Sequence, residues 1–164
     1  MKKWMNKHSI WLSLLLVIGV MVMIFCFSAQ TGQQSGALSG KITGWILNML
    51  VPDYENMPPQ EQANLRQVAG TVIRKLGHFT EYALLGFALM LHIHTLKKKI
   101  SVRLPLLWAW AVGTMYAASD EFHQSFVADR GPSVVDVMID SAGVIAGVLL
   151  TVWVLCRVAK NRQN

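Results

Sequence analysis

The chain has 164 residues, 53% of them hydrophobic and only 15% charged, with a net charge of +6 and a mean hydropathy of +0.38. That balance argues against an ordinary soluble domain and makes membrane residence the first expectation. The basic residues show no aromatic-interleaved patch, so nucleic acid is not an expected partner.

In chain order, four apolar runs predict transmembrane helices, at about 10–29, 77–96, 104–119 and 134–155. The first and third carry no charge, the second one acid, and the fourth two acids near its start. About 20 residues cross a bilayer core, so 104–119 is the shortest of the four for that purpose. Lys2, Lys3 and Lys7 before the first run also resemble the basic start of a signal peptide. The run is longer than a signal core, however, and Phe27 suits an A-x-A-like site poorly, so a retained span is expected.

An outer loop of about 30–74 separates the first two spans. Its opening, "FSAQTGQQSGALSG", suits a polar lining or a turn region. From Leu38, apolar residues recur with helical spacing at Ile42, Trp45, Ile46, Met49 and Leu50, which predicts a helix lying flat in the headgroup layer or packing on the bundle. Pro52 ends it. Pro58 and Pro59 ahead of Glu61 mark a new helix start, and Leu65, Val68, Val72, Ile73 and Leu76 carry its period into the second span. With no repeat and no strand alternation, the expected fold is all-α: one domain over 1–164, an integral membrane bundle of four transmembrane helices with an additional outer interfacial helical segment.

Lys and Arg collect on the cytoplasmic side of short loops. Ten of the fifteen lie before the first span, between the second and third, or after the fourth, which places both termini in the cytoplasm. All nine acids then fall on the opposite side. Cys26 and Cys156 sit at opposite ends of their spans, too far apart for a disulfide.

On that outer side, ionisable residues gather from three segments. "RKLGHFTEYALLGF" places Lys75, His78 and Tyr82 on one helical face with Glu81 at its edge. "SDEFHQSF" brings Asp120, Glu121, His123 and Gln124 to the same height. After Arg130, Asp136 and Asp140 stack four residues apart, and Gly143 and Gly147 continue their face, so that a neighbouring backbone can approach. An isolated charge in lipid costs on the order of 3 kcal/mol or more, so these groups are expected to face one another or a watery pocket. His78 and His123 among carboxylates suit general acid–base work or a divalent metal shared with Asp120, Glu121, Asp136 or Asp140. Lys75 and Arg130 suit an anionic group. The competing reading is a structural network in which Lys75 and Arg130 neutralise Asp136, Asp140 and Glu81. Tyr82 is read as a headgroup-level anchor, and His92 and His94 as interfacial residues of the inner end.

The stretches "FSAQTGQQSGALS", "RKLGHFTEYALLGFAL" and "SDEFHQSFVADRGPSVVDVMIDSAGVIAG" resemble the VanZ-like family of bacterial membrane proteins, named for a protein linked to resistance to the glycopeptide teicoplanin. The matching positions are Ser28, Gln30, Ser35, Lys75, His78, Phe79, Glu81, Tyr82, Asp120, Glu121, Gln124, Arg130, Ser133, Asp136 and Gly143. The resemblance implies a resistance or envelope phenotype at the bacterial cytoplasmic membrane and stops short of a reaction. The resulting expectation is action at the outer face on an envelope lipid or lipid-linked wall component. His78, Glu81, Asp120, Glu121 and His123 form its acid–base set, and Lys75, Gln124, Arg130, Asp136 and Asp140 its binding set. The alternative is a non-catalytic module that binds a lipid, an antibiotic or a partner protein and changes antibiotic access.

Overall fold

The computed structural model describes residues 2–96 and 103–161, with side chains described for 8–96 and 104–161. It contains helices α1 (Lys2–Ser28), α2 (Gly32–Leu50), α3 (Pro59–Leu96), α4 (Arg103–Gln124) and α5 (Val134–Asn161), with a 3-10 turn at Tyr54–Asn56. No strand occurs among the described residues, so the fold is all-α. Among the described residues, three helices are long and apolar enough to cross a membrane: α1 from His8, α3 and α5. Helix α4 is not among them, because its apolar run 104–119 is short and is followed in the same helix by Asp120 and Glu121.

The observed boundaries differ from those read from hydropathy. Helix α3 is continuous over 38 residues, so the part of the expected outer loop after Pro59 is helix. At 1.5 Å per residue it is about 57 Å long, well beyond a hydrocarbon core of about 30 Å. The Ser/Gln/Gly segment is likewise helical from Gly32. Thr31 Oγ1 accepts the Gln34 N–H (3.2 Å) while Gln34 Oε1 accepts the Thr31 N–H (3.1 Å), a reciprocal cap that starts α2. Helix α2 packs on α3 through Thr43 and Leu47 and leaves Leu38, Ile42, Trp45 and Met49 exposed. Below it the chain turns at Asp53, in the left-handed region (φ 56°). Buried Tyr54 there accepts a hydrogen bond from Arg66 Nε at 2.7 Å, tying the turn to the start of α3.

Helix α3 is the hub of the bundle, touching α1, α2, α4 and α5, and α5 lies along it most extensively. Missing side chains explain that closeness. A Cβ at Gly86 would overlap the Val144 backbone, one at Gly143 the Phe79 carbonyl and one at Gly147 the Ala83 carbonyl. The two helices meet backbone to backbone, as small residues four apart permit. Around that seam Tyr82, Leu85, Ala88, Val144 and Val148 form the core, joined by Ile24 from α1. Outward, Leu15, Leu107, Trp108 and Trp153 are more than half exposed, a surface for lipid rather than water.

At the end of the bundle away from the acids, Ser13 Oγ lies 2.9 Å from His92 Nδ1 and 3.0 Å from Thr95 Oγ1, so His92 is part of an α1–α3 contact. Lys97, Lys98, Lys99 and Arg162, which the orientation argument uses, lie outside the described residues.

Candidate functional site

Four elements converge at the other end: the end of α1, the start of α2, the middle of α3, and the end of α4 with the loop 125–133 that leads into α5. The loop is pinned by backbone and side chain together. Gly32 N–H donates to the Ala128 carbonyl (3.0 Å), and a Cβ on Gly32 would overlap Asp129, itself in the left-handed region at φ 58°. Arg130 Nη2 donates to the carbonyl of Phe27 (3.4 Å) and Nη1 to Gln124 Oε1 (3.1 Å). Gln124 in turn donates through Nε2 to Asp120 Oδ2 (3.2 Å). A neutral amide thus links a cation to a carboxylate, and both Gln124 and Asp120 are buried.

The start of α5 is fixed next to it. Ser133 Oγ accepts the Asp136 N–H (3.2 Å), an N-cap bond, and the Ser133 N–H donates to Glu121 Oε1. Lys75 Nζ pairs with Asp136 Oδ1 at 2.5 Å. One turn deeper, His78 Nδ1 and Asp140 Oδ1 are 3.5 Å apart, an ion-pair distance without hydrogen-bond geometry, and Asp140 is fully buried.

At this end lies a cavity of about 170 Å³, lined from α1, α2, α3, the end of α4 and the 125–133 loop. His78, Glu81, Asp120, Gln124 and Arg130 line it together with the apolar side chains of Ile24, Phe27, Leu38 and Ile42. A second cavity shares Ser35, Arg74, His78, Gln124 and Arg130 with the first and reaches Asp136. Five of the ten expected site residues therefore line the main cavity, and Asp136 lines its neighbour.

The other four stand elsewhere. Glu121 is buried and engaged with the Ser133 N–H. The ring of His123 packs against Phe25 with centroids 5.0 Å apart. Lys75 is held by Asp136 and lines neither cavity, and Asp140 backs His78 from below. Of the competing ion-pair reading, Lys75 with Asp136 is present, whereas Arg130 has no carboxylate hydrogen bond among the described residues. Tyr82 is not a headgroup anchor: it is completely buried, its ring 6.3 Å from that of Tyr116 and its hydroxyl without a hydrogen bond.

Arg74 is a cation that lines both cavities and lies outside the expected set. It directly precedes Lys75, and a step of 100° around the helix separates the two. Lys75 turns to α5 and Arg74 toward α2 and the loop, a choice fixed only by which helices flank α3. Ser35 and Ser39 also line the main cavity, so the Ser/Gln/Gly segment is a lining. Burial pulls the Arg130 guanidinium below its usual value, and the charge of Arg74 acts in the same direction.

Among the described residues, no three His, Cys, Asp or Glu side chains are grouped to hold a metal ion. The expected metal set is divided: His123 faces Phe25, Asp136 faces Lys75, and Glu121 faces a backbone amide. A family model described as VanZ/LLP1 matches residues 13–156. No curated protein and no solved structure shows a significant match.

Proposed function

The chain belongs to the VanZ-like family, and from that premise we propose a multi-pass protein of the bacterial cytoplasmic membrane that acts at the outer face on an envelope lipid or lipid-linked wall component. In this reading α4 is a fourth span beside α1, α3 and α5, and both termini are cytoplasmic. The observation that supports it best is the cavity itself, which His78, Glu81 and Asp120 line together with apolar side chains at one end of the bundle. Ionisable groups at such a depth are costly, and that cost points to a use.

The chemistry fits modification or transfer of a group on a lipid. His78, steadied by Asp140 behind it, and Glu81 with Asp120 supply proton acceptors and donors. Arg130 and Gln124 hold the polar part of the ligand. A glycopeptide-resistance phenotype of the teicoplanin kind would be the downstream effect of an altered envelope. A second reading, a non-catalytic module that binds a lipid, an antibiotic or a partner protein, draws support from a specific observation. Two members of the expected acid–base set, Glu121 and His123, do not reach the cavity.

The test expresses His78→Ala, Glu81→Gln and Glu121→Gln at matched membrane levels and compares envelope lipids by mass spectrometry with antibiotic susceptibility. Loss of a lipid product in the first two variants supports chemistry. Lost protection with an unchanged lipid profile supports binding. Full function in every variant refutes the site.

A further inference from the structure

The geometry points to an amphiphile with a phosphate-class head as the ligand of this cavity, with Arg74 and Arg130 as the paired cations that hold the head. This rests on the lipid reading above and narrows it to a head chemistry. The two adjoining cavities differ in character. The first has the apolar wall of Ile24, Phe27, Leu38 and Ile42, whereas the second is bordered by Gly32, Asp129, Gly131 and Asp136 without any such wall. Arg74 and Arg130 belong to both, so they stand where the head of an amphiphile meets its tail.

Arg130 is half-buried and Arg74 is exposed, and neither guanidinium has a hydrogen bond or ion pair to a carboxylate among the described residues. Arg74 makes no hydrogen bond or ion pair among the described residues. Arg130 donates to two neutral acceptors, Gln124 and the Phe27 carbonyl, and its buried Nε has no partner. Of the two carboxylates that border the polar cavity, Asp136 is paired with Lys75, and Asp129 is exposed with no hydrogen bond or ion pair to either arginine among the described residues. Glu81 and Asp120 face only the first cavity. Both cavities also carry carboxylates, yet neither guanidinium is hydrogen-bonded to one among the described residues, so two planar forks that match phosphate oxygens stay open to a ligand.

The full-length protein, purified in dodecyl maltoside, is titrated with farnesyl phosphate, farnesol and inorganic phosphate. The wild type, Arg74→Gln, Arg74→Lys and, as a charge control on α2, Lys41→Gln are compared. Farnesyl phosphate is expected to bind at least tenfold tighter than farnesol or inorganic phosphate. Arg74→Gln should remove about tenfold of that affinity, Arg74→Lys should restore part of it, and Lys41→Gln should change nothing. Farnesol binding stays constant across the series and reports an intact fold. Equal binding of farnesyl phosphate and farnesol, or an unaltered affinity in Arg74→Gln, overturns the phosphate assignment and leaves the lipid reading standing. Inorganic phosphate binding as tightly as farnesyl phosphate identifies a soluble anion and overturns the amphiphile. Absence of binding by all three removes both this inference and the lipid reading.

Discussion

Replacement of Gly147 by alanine tests the α3–α5 seam directly. Two effects oppose each other. Alanine is a better helix former than glycine by about 1 kcal/mol in a helix interior, which favours the variant. Against it, the new Cβ would overlap the Ala83 carbonyl and come close to Phe87 N. Both are backbone atoms, which no rotamer change can move aside. Overpacking a tight contact costs about 1–3 kcal/mol, and a backbone obstacle places this case at the upper end. The helices must part beside buried Val144 and Val148, and the net destabilisation is about 2 kcal/mol. For a chain of this size that lowers the unfolding midpoint by about 4–8 °C. Thermal unfolding in detergent, followed by tryptophan fluorescence, reads the shift. Gly40→Ala on α2 is the companion variant, because a Cβ there meets nothing within 4 Å and only the propensity gain remains. Wild-type stability in Gly147→Ala, or an equal fall in Gly40→Ala, would refute the backbone-contact account.

Three further outcomes are expected. Glu121→Gln keeps an oxygen for the Ser133 N–H and should unfold near the wild-type midpoint, whereas Glu121→Ala leaves that amide unpaired and should cost about 1–3 kcal/mol in a denaturation series. Gln124→Leu removes the link between Arg130 and Asp120. It should destabilise the protein by about 1–3 kcal/mol and raise proteolysis of the 125–133 loop, read by limited digestion and mass spectrometry. A double-mutant cycle on Lys75→Met and Asp136→Asn should return a coupling of about 1–2 kcal/mol, between the values for exposed and buried pairs, because both side chains are partly covered. Additive single effects would deny the pair any energetic role.

Much of this arrangement is legible in the sequence, and the parts that are not share one physical cause. Helical period and the prolines at 58 and 59 mark where α3 begins, and the glycines at 143 and 147 announce a close neighbour. Hydropathy alone, however, divides α3 into loop and span, because its first half has the polar surface of a helix outside the hydrocarbon. Side-chain height along a helix follows from residue number, so the common depth of His78, Asp120 and Asp136 can be read directly. Direction around the helix has meaning only relative to the neighbours, and the sequence does not state which helix packs where. That is why Lys75 and Arg74 exchange places, why His123 turns to Phe25, and why Tyr82, amphipathic in composition, ends in the core.

The bonds from Gly32 to Ala128 and from Arg130 to Phe27 have a consequence for biogenesis. Chains leave the ribosome from the N-terminus, so α1 and α2 wait beside α3 with their polar corner unclosed until residues 125–136 have been made. The pocket is completed only when the final hydrophobic segment enters the bilayer. A polypeptide arrested after α4 would hold most of the pocket's residues and none of its closure.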